Sequence, residues 1–327
     1  MTASRAINGA ASVSVELRDR VLASAKALSY TPNLAARAAR SGALRLGLLH
    51  SNPSAAYLNE FLVGALEQTG KIGGQLVLER CQGLRSQQEA IKRLIAAGVD
   101  GVLIPPPLCD QPATLRALKD RRMPTVAVAT ARPTEGVAAV RIDDYAGARA
   151  MTRRLLDLGH RDIAFIQGDP RHTPAQLRLE AFLDTMREAG IEVPKSRLAA
   201  GLFTYRSGLE AAEEILKGRK RPTAIFAAND DMAAGVLAIA HGHHLRVPED
   251  LTVCGFDDTP VATTVWPPLT TIHQPIAAMA RAAVDILHEE IRLQRSGAAP
   301  AAPHQLLKFT LVERGSAGAP KPSGSSS

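Results

Sequence analysis

The chain has 327 residues, 46% of them hydrophobic, which suits about two folded domains plus an appendage. It contains no apolar run of about 18 residues that could span a membrane, and its first residues lack the features of a secretion signal. Cys81, Cys109 and Cys254 are odd in number and widely spaced, which indicates reduced thiols, with Cys254 buried in a strand. We therefore expect a cytoplasmic protein that has no membrane segment.

The positive charge is concentrated at the start of the chain. Residues 1–45 carry seven basic and two acidic side chains, a balance of +5 out of a total net charge of +7, so the other residues add only +2. A cationic appendage on a nearly neutral body favours a polyanionic partner, most simply nucleic acid. The alternative is a solvated helical hairpin that has no such partner.

The first 45 residues contain three short helical signals. Residues 1–9 (MTASRAING) are typical of the end of a helix that is closed by a glycine. Ser14 is a plausible N-cap for a second helix, because apolar residues at helical spacing follow it until Pro32. Residues 33–40 (NLAARAAR) are alanine-rich but too few to be helical alone in water, so this stretch needs a protein or DNA partner.

The rest of the chain repeats one unit, a short apolar run followed by a polar elbow and a helix. Alternating strands and helices of this kind predict an α/β fold with parallel sheets. We expect two doubly wound, Rossmann-like lobes whose polar elbows face each other across a cleft. The units occupy residues 44–57, 99–107, 161–170, 222–240 and 251–260.

Other stretches complete the two lobes. Ile142-Asp143-Asp144 marks the change of lobe, and residues 265–271 would carry the chain back. The tail at 315–327 (GSAGAPKPSGSSS) has the composition of a disordered segment. Further strands are predicted at 75–80, 124–130, 202–205 and 305–312, and helices at 86–97, 112–122, 145–158, 174–189, 207–216 and 275–293.

Asn229 follows directly after the apolar run 222–228. In open parallel sheets, ligands bind just beyond the carboxyl ends of the strands, and Asn229 offers both a donor and an acceptor there. The alternative is that Asn229, with Asp230 and Asp231, only caps the next helix. The position alone leaves both interpretations open.

Enzymatic signatures are absent from the sequence. It has no G-x-S-x-G elbow, no Walker loop, no G-x-G-x-x-G and no H-E-x-x-H. The histidine cluster at His241, His243 and His244 falls at a predicted helix end, where a solvated C-terminus is favoured over a metal site. We therefore expect a protein that is not an enzyme and that uses no metal or cofactor.

Several motifs carry a family resemblance over roughly residues 2–313. S-R-x-x-N-G, V-S-x-x-x-R-x-R-V and L-x-Y-x-P-N, followed by an alanine-rich hinge, resemble the headpiece of the LacI/GalR family of bacterial repressors. I-F-A-A-N-D-D-M-A-x-G, G-F-D-D-T-P and P-P-L-T-T-I resemble that family's effector core, which has the type I periplasmic-binding-protein fold. The resemblance implies a partial helix-turn-helix headpiece at 1–31, a hinge at 32–42 and a core at 43–314, with an N-lobe at about 43–142 and 273–305 and a C-lobe at about 143–272 and 306–314.

Two departures from the family pattern concern DNA binding. Family members begin with a further helix and turn of the form D-V-A-x-x-A-G-V-S, and this chain starts after that segment. A truncated headpiece lacks the helix that packs behind the recognition helix, so we expect either a start site internal to a longer gene or weak DNA binding. Ala39 stands where relatives place a leucine wedge, which implies weaker kinking of DNA.

The resemblance also implies which residues contact DNA. Residues 1–8 would be the back half of a recognition helix in the major groove, and residues 33–40 a hinge helix that folds only in the minor groove. The implied contacts to bases or phosphates are Thr2, Ser4, Arg5 and Asn8; those that position the backbone are Ser14, Tyr30 and Asn33; and those of the hinge are Arg37 and Ala39.

An effector site between the lobes is implied in the same way. Arg178, Asn229 and Asp257 match positions where relatives hold the effector, and bidentate polar side chains of this kind suit vicinal hydroxyls. Arg178 could instead be a surface charge, and Asp257 a helix cap. Phe203 matches the stacking position for a sugar ring, and Tyr57 would close the cleft from the first lobe.

Four further residues qualify the predicted effector site. Trp266 lies near a lobe crossing and is either an effector contact or packing at the hinge, and Asp258 favours a helix cap. Ala129-Thr130 stands where many relatives have an acidic residue, which suggests a different hydroxyl pattern or an apolar group on the effector.

The sequence thus favours a sugar- or glycoside-responsive DNA-binding transcriptional regulator, a homodimeric repressor of sugar uptake or breakdown. Effector binding would close the lobes, shift the paired first lobes and separate the hinges. The alternative is a cytosolic sugar-binding protein that has lost DNA binding. A periplasmic transport receptor is disfavoured because no secretion signal is seen.

Overall fold

A computed structural model describes residues 14, 17, 19–21, 23–24, 44–218 and 220–321, without the side chains of 83–85. The helices in this part of the chain are α1 (Ala55–Lys71), α2 (Gly83–Ala96), α3 (Pro112–Lys119), α4 (Asp144–Asp157), α5 (Thr173–Glu188), α6 (Tyr205–Leu216), α7 (Asp230–Gly242), α8 (Val261–Thr264) and α9 (Ile276–Arg295). The strands are β1 (Arg45–His50), β2 (Gln75–Arg80), β3 (Gly101–Ile104), β4 (Thr125–Val128), β5 (Ala138–Arg141), β6 (Ile163–Ile166), β7 (Leu198–Ala199), β8 (Ala224–Ala227), β9 (Thr252–Cys254), β10 (Thr271–His273), β11 (His304–Leu306) and β12 (Thr310–Val312).

The N-lobe is built on a six-stranded parallel sheet in the order β11-β5-β4-β3-β1-β2, with α1–α3 and α9 as its helices. All four residues of β3 and the central four of β1 are buried, as expected for parallel strands that are covered on both faces. Helix α1 packs directly on α9, and Gly64 permits this approach: a Cβ at this position would lie 2.1 Å from the carbonyl oxygen of Ala277. This contact covers one face of the sheet.

The C-lobe is built on a four-stranded parallel sheet in the order β7-β6-β8-β9, with α4–α8 as its helices. Its core contains an aromatic group in which Phe165 stacks on Phe182 at 4.9 Å and meets Phe226 edge-on at 5.1 Å. Cys254 is fully buried in β9, which confirms its predicted place in a strand. The two lobes together confirm the predicted doubly wound α/β architecture.

The chain crosses between the lobes three times: after β5, after β10 and after β11. Strand β10 pairs antiparallel with β12 beside the C-lobe sheet, while β11 pairs parallel with β5 in the N-lobe. The single closing strand predicted at 305–312 was therefore wrong, because each lobe takes half of that stretch. The strand predicted at 202–205 was also wrong, since β7 lies at Leu198–Ala199, residues 200–204 form a loop and Tyr205 begins α6.

Residues 315–321 are not the disordered segment that their composition predicted. Ser316 is fully buried; its carbonyl oxygen accepts a hydrogen bond from the N–H of Val253, and its hydroxyl donates to the carbonyl of Val253. The carbonyl of Gly318 accepts a hydrogen bond from the ring of His160 at 2.8 Å. The segment covers the edge of β9, and an edge strand with unpaired N–H groups gains from such a cover. Residues 322–327 lie outside the described part of the chain.

The N-terminal region is described at only a few positions. Residues 17, 19–21 and 23–24 are helical, and the N–H of Leu17 donates to the hydroxyl of Ser14 at 3.4 Å, in line with the predicted N-cap. Eight of the nine predicted DNA contacts fall outside the described residues. These are Thr2, Ser4, Arg5, Asn8, Tyr30, Asn33, Arg37 and Ala39.

Among the helices that the structure describes, none has both the length and the apolar character needed to cross a bilayer.

Candidate effector-binding site

A cavity lies between the two lobes, beyond the carboxyl ends of their strands. It brings together five of the six residues that the sequence predicted for the effector site: Tyr57, Arg178, Phe203, Asn229 and Asp257. These side chains come from five separate segments, and Tyr57 is the one contributed by the N-lobe. The remaining lining residues are Asn52, Ser54, Pro106, Ala129, His172, Pro174 and Gln274.

Trp266 does not line this cavity, so its prediction as an effector contact was wrong. Its side chain is 78% exposed, which also excludes the alternative of packing at the hinge. The neighbouring residues Pro267 and Leu269 are buried and occupy the interior positions of this loop. Trp266 is left on the solvent side.

Arg178 is buried on α5 and is tied on several sides, so the alternative of a surface charge was wrong. Its Nε and Nη2 lie 2.9 and 2.8 Å from Oδ1 of Asp144, and its Nη1 donates to the carbonyl of Ala228 at 2.7 Å. Nη1 also lies 3.4 Å from Oδ1 of Asp257, and the guanidinium sits 3.6 Å above the ring of Phe256. The positive charge of Arg178 is therefore compensated by two buried carboxylates.

Asp257 faces the cavity and caps no helix. Burial raises the pKa of its carboxyl to about 7, although the charge of Arg178 opposes that rise. Burial likewise raises the pKa of Asp144, and the pKa of Asp230 well above its usual range. The prediction that Asp258 caps a helix was wrong: its Oδ1 lies 2.7 Å from Nη2 of Arg314, in an ion pair.

Asn229 caps α7 and also lines the cavity. Its Oδ1 accepts a hydrogen bond from the N–H of Met232 at 3.0 Å, which caps α7. Its Nδ2 donates to the carbonyl of Phe203 at 3.2 Å and lines the cavity. Because an amide nitrogen carries two hydrogens, one donor of Asn229 remains for a ligand.

An aromatic shelf forms one wall of the cavity. Phe203 has the left-handed φ of 60° and stacks on the ring of His172, with 5.3 Å between the centroids and 14° between the planes. A Cβ at Gly168 would lie 1.9 Å from the Phe203 ring, so only glycine allows this position. Burial lowers the pKa of His172, which keeps its imidazole neutral near pH 7. Non-glycine residues held in this conformation cluster at ligand sites.

Two polar atoms of the cavity lining are buried without a hydrogen-bond partner among the described residues. They are the hydroxyl of Tyr57 and Oε1 of Gln274. Burial raises the pKa of Tyr57 well above its usual range, so this hydroxyl is a neutral donor. Because buried polar groups are normally hydrogen-bonded, these two atoms are free to accept and donate hydrogen bonds to a ligand or to water.

Sequence reasoning missed several residues of the site. Gln274 directly follows β10, and His172 lies in the elbow after β6, while Asn52 and Ser54 lie in the elbow after β1. The strand-end rule that identified Asn229 would have found all four if it had been applied to every elbow. Asp144 was noted only as a lobe boundary, and its ion pair with Arg178 has no local signal.

The histidine cluster lies at the end of α7, in solvent-accessible positions. Nε2 of His243 lies 3.5 Å from Oε2 of Glu213, a partner on α6. Across the described residues, His, Cys, Asp and Glu side chains form no group of three that could hold a metal ion.

Comparisons with known proteins match both parts of the chain. Residues 1–33 match the model of the lacI family of bacterial regulatory proteins, and residues 152–317 that of a periplasmic binding protein-like domain. The ribose operon repressor of Escherichia coli (strain K12) is 32% identical over 321 residues, which cover 97% of this chain and 95% of that protein. The transcriptional repressor PurR of Shigella dysenteriae is 33% identical over 296 residues, 89% of this chain and 86% of that protein.

Two solved structures of transcriptional regulators are similar to this chain over nearly its whole length. The transcriptional regulator CelR in complex with cellobiose has a TM-score of 0.76 and 30% identity, over 96% of this chain and 94% of that one. The lac repressor dimer bound to operator and the anti-inducer ONPF has a TM-score of 0.76 and 27% identity, over 97% and 95%.

Fold, cleft and sequence together define a class, that of two-lobed ligand-binding regulators of transcription. The chain belongs to the LacI family of bacterial regulatory proteins. Its relatives are transcriptional repressors rather than enzymes.

Proposed function

We propose that this chain is a homodimeric, sugar-responsive repressor whose affinity for operator DNA is set by an effector bound between its lobes. The observation that carries this proposal is the pairing of unpartnered polar atoms, Tyr57 hydroxyl and Gln274 Oε1, with the aromatic shelf of Phe203. A pyranose or furanose ring offers hydroxyls to these two polar atoms and an apolar face to the ring of Phe203.

The charges of the cavity favour a neutral effector. Arg178 is the one permanently cationic side chain among the described lining residues, and Asp144 and Asp257 already compensate it. A phosphate or carboxylate on the effector would displace one of these pairs and leave a buried carboxylate uncompensated, at a cost of several kcal/mol. We therefore expect an unphosphorylated sugar.

The apolar walls of the cavity narrow the effector further. Pro106, Ala129 and Pro174 line part of the cavity. The carboxylate that Ala129-Thr130 lacks is thus replaced by an apolar wall, which suits a C–H-rich face of the sugar. The names of two relatives, a ribose operon repressor and a regulator in complex with cellobiose, support a sugar as well.

In the proposed mechanism, the effector completes the hydrogen bonds of Tyr57 in the N-lobe and of Arg178, Asn229 and Asp257 in the C-lobe, and so favours the closed cleft. Closure would shift the N-lobes of a dimer and separate the hinges, which lowers the affinity for operator DNA. The proposed DNA contacts are those implied by the family resemblance: Thr2, Ser4, Arg5, Asn8, Ser14, Tyr30, Asn33, Arg37 and Ala39.

A thermal-shift and calorimetry panel on the full chain tests the effector class. Neutral sugars (D-ribose, D-xylose, D-glucose, D-galactose, cellobiose) are compared with ribose 5-phosphate and glucose 6-phosphate. We expect one neutral sugar to raise the melting temperature by several degrees at about 100 times its dissociation constant, since ligation then adds about 2.7 kcal/mol. A sugar phosphate that binds more tightly than its neutral parent would contradict the charge argument.

Tyr57→Phe is the matched variant for this panel. Because the hydroxyl of Tyr57 has no described protein partner, its removal should leave the melting temperature of the free protein unchanged or slightly higher. The affinity for the selected sugar should fall about tenfold, the loss of one hydrogen bond in a buried site. Tyr205→Phe, at a half-exposed tyrosine of α6, should change neither quantity.

A further inference from the structure

The first turn of α5 takes its capping acceptor from the opposite lobe. The N-cap residue of this helix, His172, makes no side-chain capping hydrogen bond, and Pro174 has no N–H to donate. The N–H of Thr173 instead donates to Oδ2 of Asp110 at 2.9 Å. Asp110 ends a short 3₁₀ turn after β3 and belongs to the N-lobe, so the cap of a C-lobe helix depends on the position of the N-lobe.

The other bonds of this junction form a closed network, which we call the Asp110 clamp (Asp110, Thr130, Ala131 and Thr173). The hydroxyl of Thr173 donates to Oδ1 of Asp110 at 2.9 Å, and that of Thr130 donates to the same oxygen at 2.7 Å. The oxygen of the Thr173 hydroxyl accepts from the N–H of Ala131 at 2.9 Å. Each hydroxyl hydrogen has one acceptor, so all four donors can be satisfied at once.

The clamp is strong for its size. Three of its four hydrogen bonds end on a carboxylate, and hydrogen bonds to ionised groups are about twice as strong as neutral ones. The carboxylate also sits at the N-terminus of a 16-residue helix, where the helix dipole favours negative charge. Thr130 and Ala131 are buried, which limits the screening of these bonds by water.

A second direct bridge joins the lobes in the same manner. The hydroxyl of Ser54, which caps α1 in the N-lobe, donates to Oδ2 of Asp231 in the first turn of α7 at 2.6 Å. Both bridges link the beginning of a helix in one lobe to a side chain of the other. Neither bridge includes an atom of a ligand, so both can hold the cleft closed before a ligand enters.

We propose that Asp110 is a positioning residue for the effector site, because it clamps the lobes together through α5. Arg178 lies five residues after Thr173 on the same helix, so the bonds that close the cleft also hold the segment that carries the central effector contact. Opening the cleft removes the cap of α5, and closing it restores the cap. The consequence for regulation rests on the proposed function, whereas the clamp itself does not.

Distance measurements by pulsed electron spin resonance on the full, sugar-free chain test the clamp. Nitroxide labels are placed at Glu135→Cys in the N-lobe and Glu180→Cys in the C-lobe, which are exposed positions; the native Cys81, Cys109 and Cys254 are buried. Labelled protein is diluted into an excess of unlabelled chain so that distances within one chain dominate. The variants are Asp110→Asn, Asp110→Ala and Thr173→Val, with Asp120→Ala, an exposed carboxylate beside α3, as the control.

We expect one short distance in the parent chain and in the Asp120→Ala control. Asp110→Ala should add a longer distance and lower the closed-to-open ratio by about tenfold or more, the factor for one hydrogen bond to a charged group. Asp110→Asn keeps the shape of the side chain but loses its charge, so its closed-to-open ratio should lie between those of the parent chain and Asp110→Ala. The opening in Asp110→Ala combined with Thr173→Val should be less than the sum of the two single effects, because both single variants lose the bond between the Thr173 hydroxyl and Asp110.

An unchanged distance distribution in Asp110→Ala would overturn the proposal, as would additive opening in the double variant. Circular dichroism and the melting temperature of each variant show whether it is folded, and Asp110→Asn carries the test if the alanine variant is not. Since no sugar is present, a failure of the chain to bind sugars would contradict the proposed function but leave this result intact.

Discussion

Arg178→Ala should abolish the response to effector and also destabilise the core. The substitution leaves the buried carboxylates of Asp144 and Asp257 without their shared cation, and breaking a buried pair from one side costs about 3–5 kcal/mol. Effector affinity should fall about 100-fold, because the charged hydrogen bonds of the guanidinium and the position of both carboxylates are lost together. Urea unfolding measures the first effect, and calorimetry with the sugar selected by the panel measures the second.

Two companion variants separate binding from stability. Arg178→Lys keeps the charge but cannot reach Asp144, Asp257 and Ala228 at once, so it should keep most of the stability and still lose effector affinity. Arg178→Ala with Asp144→Asn removes one of the uncompensated charges and should recover part of the stability without recovering affinity. A response in Arg178→Ala equal to that of the parent would remove Arg178 from the site.

Asp257→Asn should stabilise the protein by more at pH 8 than at pH 5. The pKa of Asp257 is about 7 in the folded chain, raised by burial from its ordinary value of 3.8. Between about pH 4 and 7 the folded state therefore holds a proton that the unfolded state has released, and the contribution of this group to stability falls as the pH rises through that window. Above pH 7 the full penalty applies, at most about 4 kcal/mol for a shift of this size.

The asparagine variant isolates this group from other acids of the core. Asparagine removes the charge, keeps an acceptor for Arg178 and Gln274, and tolerates the φ of 106° at this position. The difference between the melting temperatures of variant and parent, recorded from pH 5 to 8, should be smaller at the acid end and grow towards the alkaline end. Parallel curves over the whole range would show that Asp257 does not titrate there.

The fold could be predicted from the sequence because it follows from local patterns. Each apolar run forms a buried strand and each polar elbow falls at its carboxyl end, which is how Asn229 was found. The other predicted residues of the cavity, Asp257 among them, came from the family resemblance. Trp266 was placed wrongly because the side it faces depends on the neighbours that fill the interior, here Pro267 and Leu269. The local sequence alone does not decide whether the Trp266 side chain faces the interior or the solvent.

Longer-range features had no local signal. Asp110 and Thr173 are separated by 63 positions in the chain, and no spacing rule connects a 3₁₀ turn of one lobe with the start of a helix in the other. The composition of residues 315–321 suggested disorder, but hydrogen bonds to β9 hold this segment in place. Phe203 fell in a predicted strand, whereas its left-handed φ depends on the cleft that surrounds it.

The central claim, that an effector in the cleft controls DNA binding, is tested most directly by fluorescence anisotropy. The full chain is titrated into labelled DNA that flanks its own gene and into scrambled DNA, at about 50 and 200 mM salt, with and without the sugar selected by the panel. We expect selective, salt-sensitive binding that the sugar weakens, and no effect of the sugar in Arg178→Lys. Equal, weak binding to both DNAs, unchanged by the sugar, would contradict the account and leave a sugar-binding protein without a regulatory role.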